Sequence, residues 1–183
     1  MEAEGVEYSE QDQPDPTLVF SGPEHGQYFQ KISEATENDK HLYYRSPSTV
    51  ERDLKEGRFL LAFKGERLAG WIELSPIWGK WWGLFSFYVE PDYQRRGIGT
   101  KLLKQATLEH KDEIIYAATY SPGVDKKFES LGYKRTSLSD LPGPLLVNLV
   151  RKRLLNRGIV HNLSRLGEPI KYFVYGQNQT PRS

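Results

Sequence analysis

The feature that most constrains this chain is the run from Trp81 to Val89, which meets Pro91 and then, after a short loop, two glycines spaced by one residue, Gly97 and Gly99. Leu84 to Val89 reads as a buried strand, and a proline just beyond it stops the ladder. Ile98, Leu102, Leu103 and Ala106 then recur at helical spacing, which predicts a helix over 97–111. The first amides of a helix have no carbonyl partner within it, and glycine there lets an anion approach without a Cβ in the way. A pyrophosphate is the expected occupant. The Gly-Lys-Ser/Thr ending of a P-loop is missing, and the spacing is not that of a G-x-G-x-x-G dinucleotide turn.

The rest of the chain supplies a layered setting for this unit. Leu18 to Phe20 reads as a first short strand and Glu24 to Thr36 as a helix with Tyr28, Phe29 and Ile32 on one face. Ser46-Pro47 has the cap and first-turn pairing of a second helix, which Gly57 closes. Three antiparallel strands are expected over 59–63, 68–74 and 81–89, with a break at Ser75-Pro76. A strand over 113–120 follows the glycine-led helix, and Ser121-Pro122 is expected to cap and open another helix that ends at Gly132. Tyr133 to Thr136 (strand), Leu141 to Asn156 (basic amphipathic helix) and Ile170 to Tyr175 (strand) complete a mixed α/β sheet. Met1 to Pro16 carries six acidic and no basic residues, and is expected to be a disordered tail, as are residues 177–183; one domain lies between them, over 17–176.

Composition removes several function classes. The chain has no cysteine, which excludes disulfide scaffolds, thiol catalysis, iron–sulfur clusters and zinc ribbons. The longest apolar stretches are too short to span a bilayer, and the acidic start has no apolar segment of a secretory signal, so a cytoplasmic protein is expected. His25, His41, His110 and His161 show no metal-ligand spacing, and no metal is expected. Residues 1–93 hold 9 Lys/Arg against 17 Asp/Glu, whereas residues 94–183 hold 16 against 7, so the second half is the expected home of an anionic ligand.

The pattern Val89-x-Pro91-x-x-Gln94-x-x-Gly97-x-Gly99-x-x-Leu102-Leu103 resembles the acetyl-coenzyme A signature of the GNAT acetyltransferase superfamily. The likeness extends to Lys126-Lys127-Phe128-Glu129-Ser130-Leu131-Gly132-Tyr133, and the element order fits from about Thr17 to Tyr175. It implies a mostly antiparallel central sheet, splayed between two parallel strands that end at Val89 and Tyr120 and flanked by helices. The pantetheine arm of acetyl-coenzyme A would lie in the cleft. By the same resemblance, backbone amides of Gln94, Arg95, Arg96, Gly97, Ile98, Gly99 and Thr100 cradle the pyrophosphate, with contacts to the coenzyme also from Phe87, Ser121, Lys127 and Phe128. The Val89 backbone binds the pantetheine and polarises the thioester carbonyl. Side chains of Arg95 and Arg96 either assist the phosphates or face water.

Direct transfer to an amine needs a deprotonated nitrogen and a proton for the departing thiolate. Phe128 stands where many members of the superfamily have a tyrosine acid, so either the thiolate, a tolerable leaving group, departs without an acid, or Tyr120, Tyr116, Tyr88 or water supplies the proton. Glu73 is the base candidate, alternating with Ile72 and Leu74 on its strand; a solvated outer-face glutamate is the competing reading. Trp71, Trp78, Trp81 and Trp82 are expected mostly in the core, with one or two walling the acceptor pocket beside the loop Ser75 to Lys80. The expected acceptor is a primary amine of a small molecule or peptide, and the acidic stretch Glu34 to Asp39 suits a cationic one. A homodimer is compatible with the chain. The lesser alternative is an RNA-directed enzyme or a non-catalytic coenzyme A- or RNA-binding module, served by Arg151, Lys152, Arg153, Arg157 and Arg165.

Overall fold

The computed structural model describes residues 15–39, 42, 44–119, 121, 123–154 and 170–176. Among these residues seven strands form one sheet: β1 (Thr17–Phe20), β2 (Phe59–Lys64), β3 (Arg67–Trp78), β4 (Trp81–Val89), β5 (Ile114–Thr119), β6 (Lys134–Thr136) and β7 (Lys171–Tyr175). Their order is β1-β2-β3-β4-β5-β7-β6, and every neighbouring pair is antiparallel except β4 and β5. That parallel pair exists because the helix α3 (Ile98–Glu109) carries the chain back across the sheet between them.

Alternation along the central strands sorts side chains to two helical layers. Leu60, Ala62, Ile72 and Leu74 face Ile98, Leu102, Leu103 and Ala106 of α3 in one core, which also takes Phe128 of α4 (Val124–Ser130). Phe59, Leu61, Leu68 and Trp71 face Ile32 of α1 (Phe29–Asn38) and Val50 and Leu54 of α2 (Pro47–Lys55) on the opposite side. A third cluster joins Leu145 and Leu149 of α5 (Gly143–Leu154) to Tyr116 and Val174. Both faces of the middle strands are therefore covered, and β3 is buried continuously from Leu68 to Ser75.

Local chemistry moves several expected boundaries. The helix expected over 24–36 divides into a 3-10 turn, Pro23–Tyr28, and α1 proper. The break expected at Ser75-Pro76 is instead part of β3, where Pro76 opposes Trp82 beside a shift of register before Trp78; at such an irregularity a strand tolerates a residue without an N–H. Ser46 does cap α2, accepting from the Thr49 amide at 3.4 Å. Ser121 does not cap α4: Gly123 does, with φ of 99°, and Asp125 accepts from the amides of Gly123 (2.9 Å) and Lys126 (2.8 Å).

Asp125 also pairs with Lys171 of β7, which ties α4 to the sheet. The Lys171 ammonium, followed by those two amides, holds the Asp125 carboxyl well below its ordinary value of 3.8. A carboxylate favoured in this way stabilises the fold above the pKa it has when unfolded, and the contribution fades as pH falls through and below that value. Asp125→Asn is accordingly expected to be less stable than the parent at neutral pH in chemical denaturation. The gap should close below about pH 4, where the unfolded aspartate takes up its proton.

A second expectation concerns Gly70, which lies opposite Val89. A Cβ there would stand 2.6 Å from the Tyr88 carbonyl oxygen and 3.2 Å from the Val89 Cα. Because both obstacles are backbone, Gly70→Ala has to push β3 from β4, and a loss of about 1–3 kcal/mol is expected in the same measurement, within the range typical of overpacking.

Candidate active site

The parallel pairing of β4 and β5 ends at Leu84 and Ala117. At the same level Glu73 opposes Ser86 while Leu74 opposes Leu84, so Phe85 is an extra residue on β4. A bulge of this kind sharpens the twist and turns the strand away from its neighbour. The ring of Phe85 settles over Gly83, where a Cβ would come within 2.5 Å of it. Beyond the bulge, the Glu90 amide donates to the Ala69 carbonyl at 2.9 Å, so the backbone groups of Glu90 face β3. Alternation then turns those of Val89 and Phe87 toward the gap. The Val89 carbonyl accepts from the Gln94 side chain at 3.0 Å, which folds the following loop against the strand end, while the Val89 N–H faces the gap.

That loop enters α3 through two left-handed residues, Arg95 (φ 62°) and Gly97 (φ 79°). The first bond into the helix runs from the Lys101 amide to the Gly97 carbonyl at 3.0 Å, leaving the amides of Ile98, Gly99 and Thr100 without helical acceptors. Gly99 is the point of convergence. A Cβ on it would stand 3.0 Å from the Phe87 ring, 3.4 Å from a Val89 methyl and 3.5 Å from the Lys127 ammonium. An ammonium at the positive end of a helix is unfavourably placed unless an anion lies between them. The site is therefore suited to a phosphate group, and it fits the expected cradle.

One cavity of about 770 Å³ joins this cradle to the gap between the strands. Phe87, Val89, Gln94, Arg95, Gly97, Gly99 and Thr100 line it from one side, and Ser121, Lys127 and Phe128 from the other. Arg96 is not among the lining residues, and the side chain of Ile98 belongs to the core, which leaves only its amide available toward the cradle. Sequence reasoning missed Tyr93, Ala118, Thr119 and Leu42, which also line it; Asp39 it had placed only as part of an acidic stretch.

Phe128 is buried against Tyr133 and Phe173, with ring centroids 4.9 and 5.2 Å away, and offers no proton. Tyr133 is not at the cavity: its hydroxyl meets Thr107 at 3.0 Å, and burial pushes it up to about 12. Tyr116 faces the α5 side, among Leu141 and Leu145. Tyr88 does line the cavity, and burial, followed by the charges of Glu90 and Asp39, raises its phenol above the ordinary tyrosine value. Tyr120 lies outside the described residues.

Glu73 answers to neither of the two expectations. It is completely buried, does not line the cavity, and takes Arg45 Nη2 at 2.5 Å. The same nitrogen reaches Asp53 at 2.6 Å. None of the four tryptophans lines the cavity: Trp71 is core and donates to Ser86 at 2.9 Å, while Trp78 is 44% exposed at the β3–β4 turn. Of the basic cluster proposed for RNA, Arg157, Arg165 and the side chains of Arg151, Lys152 and Arg153 lie outside what is described.

The fold recurs among solved structures. An N-acetylglutamate synthase from Neisseria gonorrhoeae, complexed with coenzyme A and N-acetyl-glutamate, is 16% identical with a TM-score of 0.65, over 89% of this chain and 35% of that one. The chain thus spans about a third of that protein's length. Rv2747 from Mycobacterium tuberculosis, in complex with CoA and NLQ, is 13% identical with a TM-score of 0.69, over 89% of this chain and all of that one. The ribosomal-protein-S18-alanine N-acetyltransferase of Escherichia coli is 14% identical with a TM-score of 0.56, covering 92% and 99% of the two chains. No curated protein sequence matches. These identities establish a common fold. The sequence profile of the acetyltransferase (GNAT) family matches residues 25–126, more than half of the chain, so the splayed sheet and its glycine-led helix belong to a member of the GNAT family of acetyltransferases.

Proposed function

We propose that this chain, as one domain over 17–176 in the cytoplasm, moves the acetyl group of acetyl-coenzyme A to a primary amine by direct displacement. The observation that carries the reading is the continuity of one cavity from the α3 amides and Lys127 to the unpaired β4 edge at Phe87 and Val89. The first part suits a pyrophosphate and the second an extended amide-bearing arm, which can pair with a strand edge as another strand would. That the gonococcal synthase and Rv2747 hold coenzyme A in the same fold supports it.

In this reading the bound thioester supplies an activated acetyl group. Val89 directs its N–H at the carbonyl oxygen, where a hydrogen bond strengthens as negative charge develops. The free amine forms the C–N bond while the C–S bond breaks; one proton leaves the nitrogen to solvent and one reaches the sulfur. Tyr120 is the proposed donor to sulfur, since its neighbours Thr119 and Ser121 both line the cavity and Phe128 has no proton to give. Glu73 acts at one remove as a positioning residue, by holding Arg45. No helix among the described residues is long and apolar enough to cross a membrane.

Gly99→Glu puts bulk and negative charge into the cradle. Calorimetry should show coenzyme A binding weakened by about a hundredfold, or about 3 kcal/mol, in a variant whose circular dichroism is that of the parent. Undiminished affinity would remove the site.

The proton donor is read from the pH dependence of kcat. A tyrosine acid gives an alkaline limb, which should vanish in Tyr120→Phe, whereas Phe128→Tyr should keep or raise the rate. A parent enzyme without that limb would mean that the thiolate departs unassisted.

A further inference from the structure

The coenzyme end of the cavity is faced by a cation on each wall, Arg95 in the loop before α3 and Lys127 on α4. Neither side chain has an ion pair or a hydrogen bond to another residue among those described. Other basic side chains nearby in the fold are drawn to carboxylates: Lys101 of α3 to Asp15, Lys31 to Glu90 at 2.9 Å, and Lys171 to Asp125. Cations that converge on one cavity without carboxylates of their own favour an anionic occupant.

Arg95 also holds a conformation that an ordinary residue adopts only at a cost. Its φ of 62° makes it the only non-glycine residue with a left-handed backbone among those described, whereas at the next such position the chain meets the same demand with Gly97. The Cβ crowds the backbone in that conformation, and a glycine at 95 would remove the crowding. Strain retained at a binding cavity points to a side chain that is used there. Arg96, the following residue, does not line the cavity, so the left-handed turn selects Arg95 of the two arginines.

We propose that the Arg95 guanidinium grips the phosphate on the ribose of coenzyme A, and so makes the enzyme selective for the complete coenzyme over thioesters that lack this phosphate. This rests on the acetyl-transfer reading above. Coenzyme A carries two phosphates in its pyrophosphate and a third on the ribose. The free amides of Ile98, Gly99 and Thr100, with the Lys127 ammonium beside Gly99, provide for the pyrophosphate. Arg95 precedes that set in the chain and stands on the other wall, which leaves it for the third. A ribose phosphate is a terminal group with free oxygens, and it suits the two-pronged donor geometry of a guanidinium.

Calorimetry on the full chain compares coenzyme A with dephospho-coenzyme A, which lacks only the ribose phosphate. The parent should bind coenzyme A more tightly by about tenfold or more, the scale of hydrogen bonds to a charged group. Arg95→Gly and Arg95→Asn, both of which tolerate the left-handed backbone, should bring that ratio to about one by weakening coenzyme A alone. Lys127→Met should weaken both ligands by a similar factor, because the pyrophosphate is common to them. The ratio is internal to each protein, so a change in stability does not imitate its loss. A ratio of about one in the parent, a ratio that survives in both Arg95 variants, or equal weakening of the two ligands by those variants overturns the assignment and leaves acetyl transfer standing. So does a ratio lost in Lys127→Met and kept in the Arg95 variants. Binding of neither ligand to the parent overturns both readings.

Discussion

At Phe87 and Val89 one edge of β4 has its hydrogen-bonding groups turned into a gap where no strand follows among the described residues, although β4 sits in the middle of the sheet. Backbone donors and acceptors in such a place need a partner, and an edge accepts an extended one. Much of the local sequence serves to keep this edge in place. Phe85 makes the bulge and Gly83 gives its ring a seat, while Gly70 allows β3 to close on the Tyr88 carbonyl from the other side. Gln94 then turns the chain back on the Val89 carbonyl, so the unpaired edge and the open amides of α3 come together at Gly99. An acyl carrier with a phosphate at one end and amides along its arm is complementary to both at once.

The uneven charge along the sequence acquires a spatial meaning in this arrangement. The acidic half of the chain contributes α1 and its Asp39, and the basic half contributes Arg95 and Lys127; the sheet gap lies between the two contributions. A field of that form orients a molecule with unlike ends before contact is made. Orientation matters for a transfer between two bound molecules, because the reacting atoms gain most from being held in line.

The strand, glycine turn and helix were legible in the sequence because each depends on local chemistry: apolar alternation, a proline stop, and a conformation reserved for glycine. The same reasoning failed where a long-range partner decides. Alternation placed Glu73 on one face of its strand, yet only the packing of α2 and the segment after α1 shows that Asp53 and Arg45 meet it there. Pro76 looked like a break, but a register shift absorbs it and the strand runs on to Trp78. Ser121 had the chemistry of a cap, and lost the position to Gly123 because Asp125 reaches back over the turn to bond the Gly123 amide. Tyr93 and Leu42 gave no signal, since a side chain beside a cavity carries no period of its own.

Arg45 shows how a single residue outside the regular elements can tie three of them together. Its backbone amide bonds to Thr36 at 3.0 Å and its carbonyl accepts from Ser33 at 2.7 Å, both on α1. Its guanidinium reaches Asp53 on α2 and Glu73 on β3. One residue thus closes the connection that begins at Asp39 and anchors it to two other elements. Apolar residues of similar volume would often be at least as stable as a buried ion cluster of this kind. They would lack its directional demand, because a carboxylate buried without its guanidinium is far more costly than a leucine that slides. The cluster therefore specifies one placement of Arg45 against α1, α2 and β3, and with it one packing of the two helices over the sheet.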